Sequence, residues 1–155
     1  MTEFVEGENV PDFEAHVTGN KFITLSQLRG SRIVLYFYPR DNTPGCTQEG
    51  QAFRDQFAEF EKNNALILGV SRDSLRTHEN FKAKQGFPFD LISDSDEKLC
   101  TLFDVIKMKN MYGRKARGIE RSTFLIDEHG KFAHIWRQVR VKGHVEEVLE
   151  KLRSL

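Results

Sequence analysis

The chain has 155 residues, 39% hydrophobic and 30% charged, the balance of one globular domain that buries roughly 70% of its unfolded surface without disulfide or metal staples. Basic and acidic residues both number 23, so a net charge of zero offers no global attraction for nucleic acid or an anionic membrane. The longest apolar runs, Ile33 to Tyr38 and Ala65 to Val70, fall far short of the ~20 residues a bilayer span needs.

The N-terminus carries Glu3, Glu6 and Glu8 and no apolar core segment, unlike a secretory or transit peptide, so a cytoplasmic location is expected. Phe13 to Val17 and Lys21 to Thr24 read as short strands joined at Gly19-Asn20, a hairpin turn whose residues tolerate positive φ. Arg32 to Tyr38 and Leu66 to Val70 are continuous apolar runs of β-rich composition, the pattern of central strands covered on both faces. Between them Phe53, Phe57 and Phe60 fall at i, i+4 and i+7 on one helical face, completing a βαβ crossover. Ser74 to Gln85 and Glu97 to Phe103 read as helices, with a short strand at Leu91-Ile92 between them. Gly118 to Ile126 and Lys131 to Trp136 flank Asp127-Glu-His-Gly130, a hairpin turn, and Val145, Val148, Leu149 and Leu152 mark a closing amphipathic helix. No repeat or linker interrupts the chain, so residues 1–155 are expected to form one α/β domain with a mixed β-sheet flanked by helices, thioredoxin-like in outline.

Chemistry concentrates in Tyr36-Phe-Tyr-Pro39-Arg-Asp-Asn-Thr43-Pro-Gly-Cys46-Thr-Gln-Glu, where a buried strand passes through a Pro-restrained loop into a helix. Cys46 falls in the first turn of that helix, where unpaired N–H groups and the positive end of the macrodipole favour a thiolate. Thr43 can aim its hydroxyl at the sulfur or at a bound oxygen, while Pro39 and Pro44 stiffen the loop. Taken alone, Cys46 reads more readily as an inert packed thiol than as a reactive one, and Pro39 and Thr43 as loop punctuation and a helix cap.

The spacing Pro39-x-x-x-Thr43-x-x-Cys46 resembles the peroxiredoxin active-site motif. The surrounding string is similar to the bacterioferritin comigratory, or peroxiredoxin Q, subfamily. So are Gly69-Val-Ser-Arg-Asp-Ser74 with His78 and Phe81, Pro88-Phe89 with Ser93-Asp94, and Gly118-Ile-Glu-Arg-Ser-Thr-Phe124. The likeness runs from about Pro11 to the C-terminus. It implies a thiol-dependent peroxidase acting on hydrogen peroxide and organic hydroperoxides. In that reading Cys46 is the peroxidatic nucleophile, Pro39 its shield, Thr43 the group that orients peroxide, and Arg121, on a later strand, the cation that completes the site. A thiolate by itself falls short of such an activity. A pKa drop from ~8.5 to ~6 raises the thiolate fraction roughly thirtyfold but costs about tenfold in nucleophilicity, a net gain of ~2- to 3-fold. The larger contribution must come from donors to the two peroxide oxygens, each worth ~3 kcal/mol when well placed.

The chain departs from the subfamily where many members carry a resolving cysteine five residues after the nucleophile, because Gln51 stands there. Ser74 to Gln85, where other members place it, has none either, which leaves Cys100 as the one internal candidate. Cys100 lies beside Leu99, Leu102 and Phe103, the setting of a small buried thiol. The favoured reading is therefore a one-cysteine cycle in which glutathione, a glutaredoxin or a thioredoxin reduces the Cys46 sulfenate. The alternatives are resolution by Cys100 and a non-enzymatic peroxide sensor switched by Cys46 oxidation. A thiol-disulfide oxidoreductase would need the CxxC pair this chain lacks. The basic stretch Lys107, Lys109, Arg114, Lys115 and Arg117, with Tyr112, reads as a solvated loop in preference to a nucleic-acid patch. His129 and His134 match no metal-ligand spacing, and neither a metal nor a cofactor is expected. The resemblance leans towards a monomer.

Overall fold

A computed structural model describes residues 4–155, so the first three residues of the acidic N-terminus lie outside the described part. The described residues form nine strands: β1 (Glu14–Val17), β2 (Lys21–Thr24), β3 (Arg32–Phe37), β4 (Ala65–Ser71), β5 (Asp90–Ser93), β6 (Ile106–Met111), β7 (Arg114–Ile119), β8 (Ser122–Ile126) and β9 (Phe132–Trp136). Its helices are α1 (Pro44–Asp55), α2 (Phe57–Lys62), α3 (Leu75–Gln85), α4 (Lys98–Leu102) and α5 (His144–Arg153). Seven strands make one mixed sheet in the order β2-β1-β5-β4-β3-β8-β9. Strands β3, β4 and β5 are parallel, and β8 and β1 join them antiparallel. This is the mixed sheet expected, and Gly19-Asn20 does turn the first hairpin, with φ of +85° and +53°.

Strand β3 shows how the sequence builds the layers. Its side chains alternate between faces. Ile33, Leu35 and Phe37 enter one core with Val17, Leu99, Cys100, Phe103 and Phe124. Val34 and Tyr36, continued by Tyr38, enter the other with Cys46, Phe53, Phe81, Val145 and Leu152. The sheet therefore separates the two cysteines, both of them buried, into opposite cores.

Three expectations need correction. Phe53, Phe57 and Phe60 do not share one helix: the chain bends at Gln56 (φ −104°, ψ 8°), between α1 and α2. The bend brings the Phe53 and Phe60 rings to 5.6 Å, whereas seven residues span ~10 Å of straight helix, and Phe57 stays half-buried. Gly118 to Ile126 is not one strand. It divides at Glu120-Arg121, because the exposed basic residues of β7 cannot enter the sheet interior that the wholly buried β8 occupies. The basic stretch is no loop: β6 and β7 pair along their full length as a separate antiparallel ribbon. The hairpin between β8 and β9 is as expected, turned at Gly130 with φ of +79°.

Candidate active site

The loop from Pro39 to Thr43 leaves the end of β3, and Thr43 occupies the N-cap of α1 in an extended conformation with Pro44 as the first helical residue. The Thr43 hydroxyl takes a partner that the sequence reading did not name, donating to the Arg40 carbonyl at 2.9 Å. It makes no capping bond, so the N–H groups of Gly45 and Cys46 are left without a side-chain cap at the positive end of the helix. Pro39 is half-buried at the start of the loop, and Cys46 is 2% exposed in the first turn of α1.

Arg121 reaches this turn from the far side of the sequence. It lies in the connection just before β8, not within a strand as expected. The β3–β8 register pairs Phe37 with Ser122, so Arg121 comes opposite Tyr38, where β3 gives way to the loop. Its carbonyl accepts from Val139 N–H at 2.9 Å, which fixes the backbone. Its Nη2 donates to Cys46 Sγ at 3.4 Å and its Nη1 to Glu49 Oε1 at 2.6 Å. A Cβ on Gly45 would stand 3.3 Å from that Nη2, so the glycine keeps the floor beneath the guanidinium low.

Glu49 is the residue the sequence reading missed. Three positions after Cys46, it lies one turn along the same helical face, and that spacing was the available signal. Its side chain is fully buried and Oε2 has no partner. Burial pushes the carboxyl up to about 7, against the opposing pull of Arg121. For Arg121, burial disfavours the charge, yet Glu49 and Cys46 together hold its pKa above the ordinary guanidinium value. The forked guanidinium thus faces a thiol and a carboxyl at once, which a single ammonium cannot do. Lys109 of β6 also feels this site: burial lowers its pKa, and Arg121 adds to the effect.

Behind the loop, Asp41 and His78 form a second buried cluster, with Nδ1 to Oδ2 at 2.6 Å. Asp73 completes a group whose donor atoms converge like metal ligands. His78 Nε2, however, lies 2.8 Å from the Ile92 carbonyl, so both ring nitrogens have hydrogen-bond partners within the protein. Cys100 stands apart from all of these. Burial, and then Asp94, push its thiol well above the ordinary cysteine value, and it packs in the opposite core.

The AhpC/TSA family profile matches residues 7–135. Peroxiredoxin Bcp of Xanthomonas campestris pv. campestris is 52% identical over 143 residues, covering 92% of this chain and 89% of that protein. Peroxiredoxin Bcp of Bacillus subtilis is 46% identical over 149 residues, 96% and 95% of the two chains. Among solved structures, a cysteine-to-serine variant of Xylella fastidiosa PrxQ superposes with a TM-score of 0.93 at 47% identity, covering 99% of this chain and 98% of that one. The Xanthomonas campestris bacterioferritin comigratory protein, solved in work on its alkyl peroxide reduction activity, superposes at 0.87 with 51% identity, over 92% and 90%. The chain accordingly belongs to the AhpC/TSA family, within its Bcp/peroxiredoxin Q branch, and is a thiol-dependent peroxidase with a thioredoxin-like fold that carries only two cysteines.

Proposed function

We propose that the chain acts as a single, monomeric peroxidase unit, residues 1–155, that reduces hydrogen peroxide and organic hydroperoxides through Cys46 in a one-cysteine cycle. The observation that carries this reading is the bridge from Arg121 to both Cys46 and Glu49 at the first turn of α1. The thiolate attacks the nearer peroxide oxygen, so that an S–O bond forms as the O–O bond breaks. The leaving oxygen departs with the bonding pair and takes up a proton, giving water or an alcohol, and Cys46 becomes a sulfenic acid. Arg121 offers charged donors where negative charge spreads from sulfur to oxygen, and the uncapped N–H groups of α1 add theirs. Thr43, whose proton is committed to Arg40, has lone pairs available to accept from the peroxide O–H. Alkyl peroxide reduction by the Xanthomonas relative supports the organic substrates.

An external thiol then attacks the sulfenate, releasing water and leaving a mixed disulfide, and a second thiol frees Cys46. Glutathione, a glutaredoxin or a thioredoxin, each available in the cytoplasm expected for this chain, would serve. Placement of Cys100 in the opposite core, with its thiol held protonated, supports the external route over an internal disulfide. Intact-mass analysis of wild type, Cys46→Ser and Cys100→Ser after one equivalent of peroxide tests this. The expected result is a trappable sulfenate in wild type and Cys100→Ser, absent in Cys46→Ser, with turnover restored by an added thiol. A two-hydrogen loss in wild type that disappears in Cys100→Ser would assign Cys100 as resolver and overturn the cycle.

A further inference from the structure

The carboxylate of Asp41, in the middle of the Pro39–Thr43 loop, and the imidazole of His78, on α3, both have side chains 0% exposed. Every polar group of the pair has a partner. Asp41 Oδ1 accepts from the Tyr38 hydroxyl at 2.6 Å, and its backbone N–H donates to Asp73 Oδ2 at 2.9 Å, which in turn accepts from Ser71 Oγ at 2.5 Å. His78 Nε2 faces the Ile92 carbonyl at 2.8 Å. A carbonyl oxygen can only accept, so Nε2 carries a proton, and one further proton is shared between Nδ1 and Asp41 Oδ2. Asp41 is thus tied to the end of β3, to β4 and the segment after it, to α3, and through His78 to β5.

Buried polar pairs of this kind are weak sources of stability, because desolvation offsets their attraction, and their best-attested use is to fix a register. Here the element fixed is the catalytic loop. On one side Asp41 adjoins Arg40, whose carbonyl orients the Thr43 hydroxyl; on the other it adjoins Asn42, held at a φ of +65°. Thr43 then starts α1, so a tilt of the loop displaces both its hydroxyl and the N–H groups beside Cys46.

We propose that His78, acting through Asp41, is a positioning residue for the peroxide reaction. The buried pair fastens the Arg40–Thr43 loop so that the Thr43 hydroxyl meets the peroxide held between Cys46 and Arg121. His78 touches no reacting atom, and its role rests on the assignment of Cys46 and Thr43 made above.

Two amide substitutions separate the two ends of the imidazole. His78→Asn places its amide near the position of Nδ1 and keeps a donor to Asp41, whereas His78→Gln reaches towards Nε2 and keeps only the link to Ile92. For each variant, the rate of Cys46 sulfenate formation with hydrogen peroxide is compared with the rate of Cys46 alkylation by iodoacetamide, which needs a thiolate but no oriented peroxide. His78→Gln is expected to lower the peroxide rate about tenfold or more while alkylation stays within about twofold, and His78→Asn to recover most of the loss. Asp41→Ala should reproduce the His78→Gln ratio, and the double variant should be no worse than either single one, since both break the same link. Asp41→Ala by itself decides the matter if the histidine variants do not fold. Equal behaviour of the Asn and Gln variants, a parallel fall in both reactions, or a double variant with the product of the single losses would overturn the proposal. Sulfenate-independent peroxide reduction by Cys46→Ser would instead bring down the site assignment beneath it.

Discussion

Arg121→Ala removes the one guanidinium that meets both Cys46 Sγ, at 3.4 Å, and Glu49 Oε1, at 2.6 Å. Losing one well-placed charged donor from the peroxide transition state costs ~3 kcal/mol, or ~100-fold in the rate of sulfenate formation. The same change strands Glu49, which is fully buried with Oε2 already unpartnered. Burial has raised this carboxyl from 4.5 to about 7 even against the pull of Arg121, which favours its protonated form by ~3 kcal/mol. Without Arg121 the carboxyl moves further up and stays neutral at pH 7. Between its unfolded and folded pKa values the native state binds the extra proton, so this group's stability contribution declines as pH rises, and the window extends higher in the variant. Arg121→Ala should therefore lose more stability relative to wild type at pH 8 than at pH 6. Arg121→Lys restores charge but not the fork, and should regain about tenfold of the lost ~100-fold rate. Rapid-quench mass analysis gives the rates, and thermal melts at the two pH values give the stabilities. A wild-type peroxide rate in Arg121→Ala, or a variant relatively more stable at pH 8, would refute the reasoning.

Two further outcomes concern the scaffold. Burial holds His144 down to about 4 from an ordinary 6.5, and its Nε2 lies 2.8 Å from Thr123 Oγ1. The unfolded chain takes up the proton first, so this contribution is complete above pH 6.5 and falls away by ~3 kcal/mol as pH drops towards 4. Urea titrations at pH 7.5 and 4.5 should show that loss in wild type and a flatter response in His144→Gln. Gly50→Ala would set a Cβ 2.4 Å from Phe87 Cζ, on a ring already packed against Phe81 and Phe89. The overpacking should exceed the helix-propensity gain and lower the melting temperature by about 5 °C, measured by circular dichroism.

Much of this molecule was readable before its structure, for reasons that differ from part to part. The strand β3 announces itself because six consecutive apolar residues suit a doubly covered strand, and alternation alone assigns Tyr36 and Phe37 to opposite cores. Pro39, Thr43 and Cys46 were legible because one contiguous loop carries them into a helix, where local backbone geometry does the work. Arg121 came only by resemblance, since no spacing rule relates residues 75 positions apart. The ribbon of β6 and β7 reads as a loop in the sequence because residues 114–117 of β7 are exposed on both faces and so lack the apolar alternation that marks a half-buried strand. The bend at Gln56 escaped notice because nothing in that residue's own chemistry breaks a helix, and the core drawn around Phe53 and Phe60 sets it.

Local chemistry along the chain thus specified a mixed sheet, a cysteine at a helix start and the absence of a cysteine at Gln51. Tertiary structure alone decided which distant groups share a dielectric and a proton. Glu49 becomes a buried acid with a raised pKa only because the fold shuts it away from water, against the opposing pull of Arg121. His78 meets Asp41 across 37 positions only because α3 packs behind the loop. Cys100 is set apart from Cys46 because a sheet lies between them, and that separation depends on strand pairing over long loops, which no local pattern encodes.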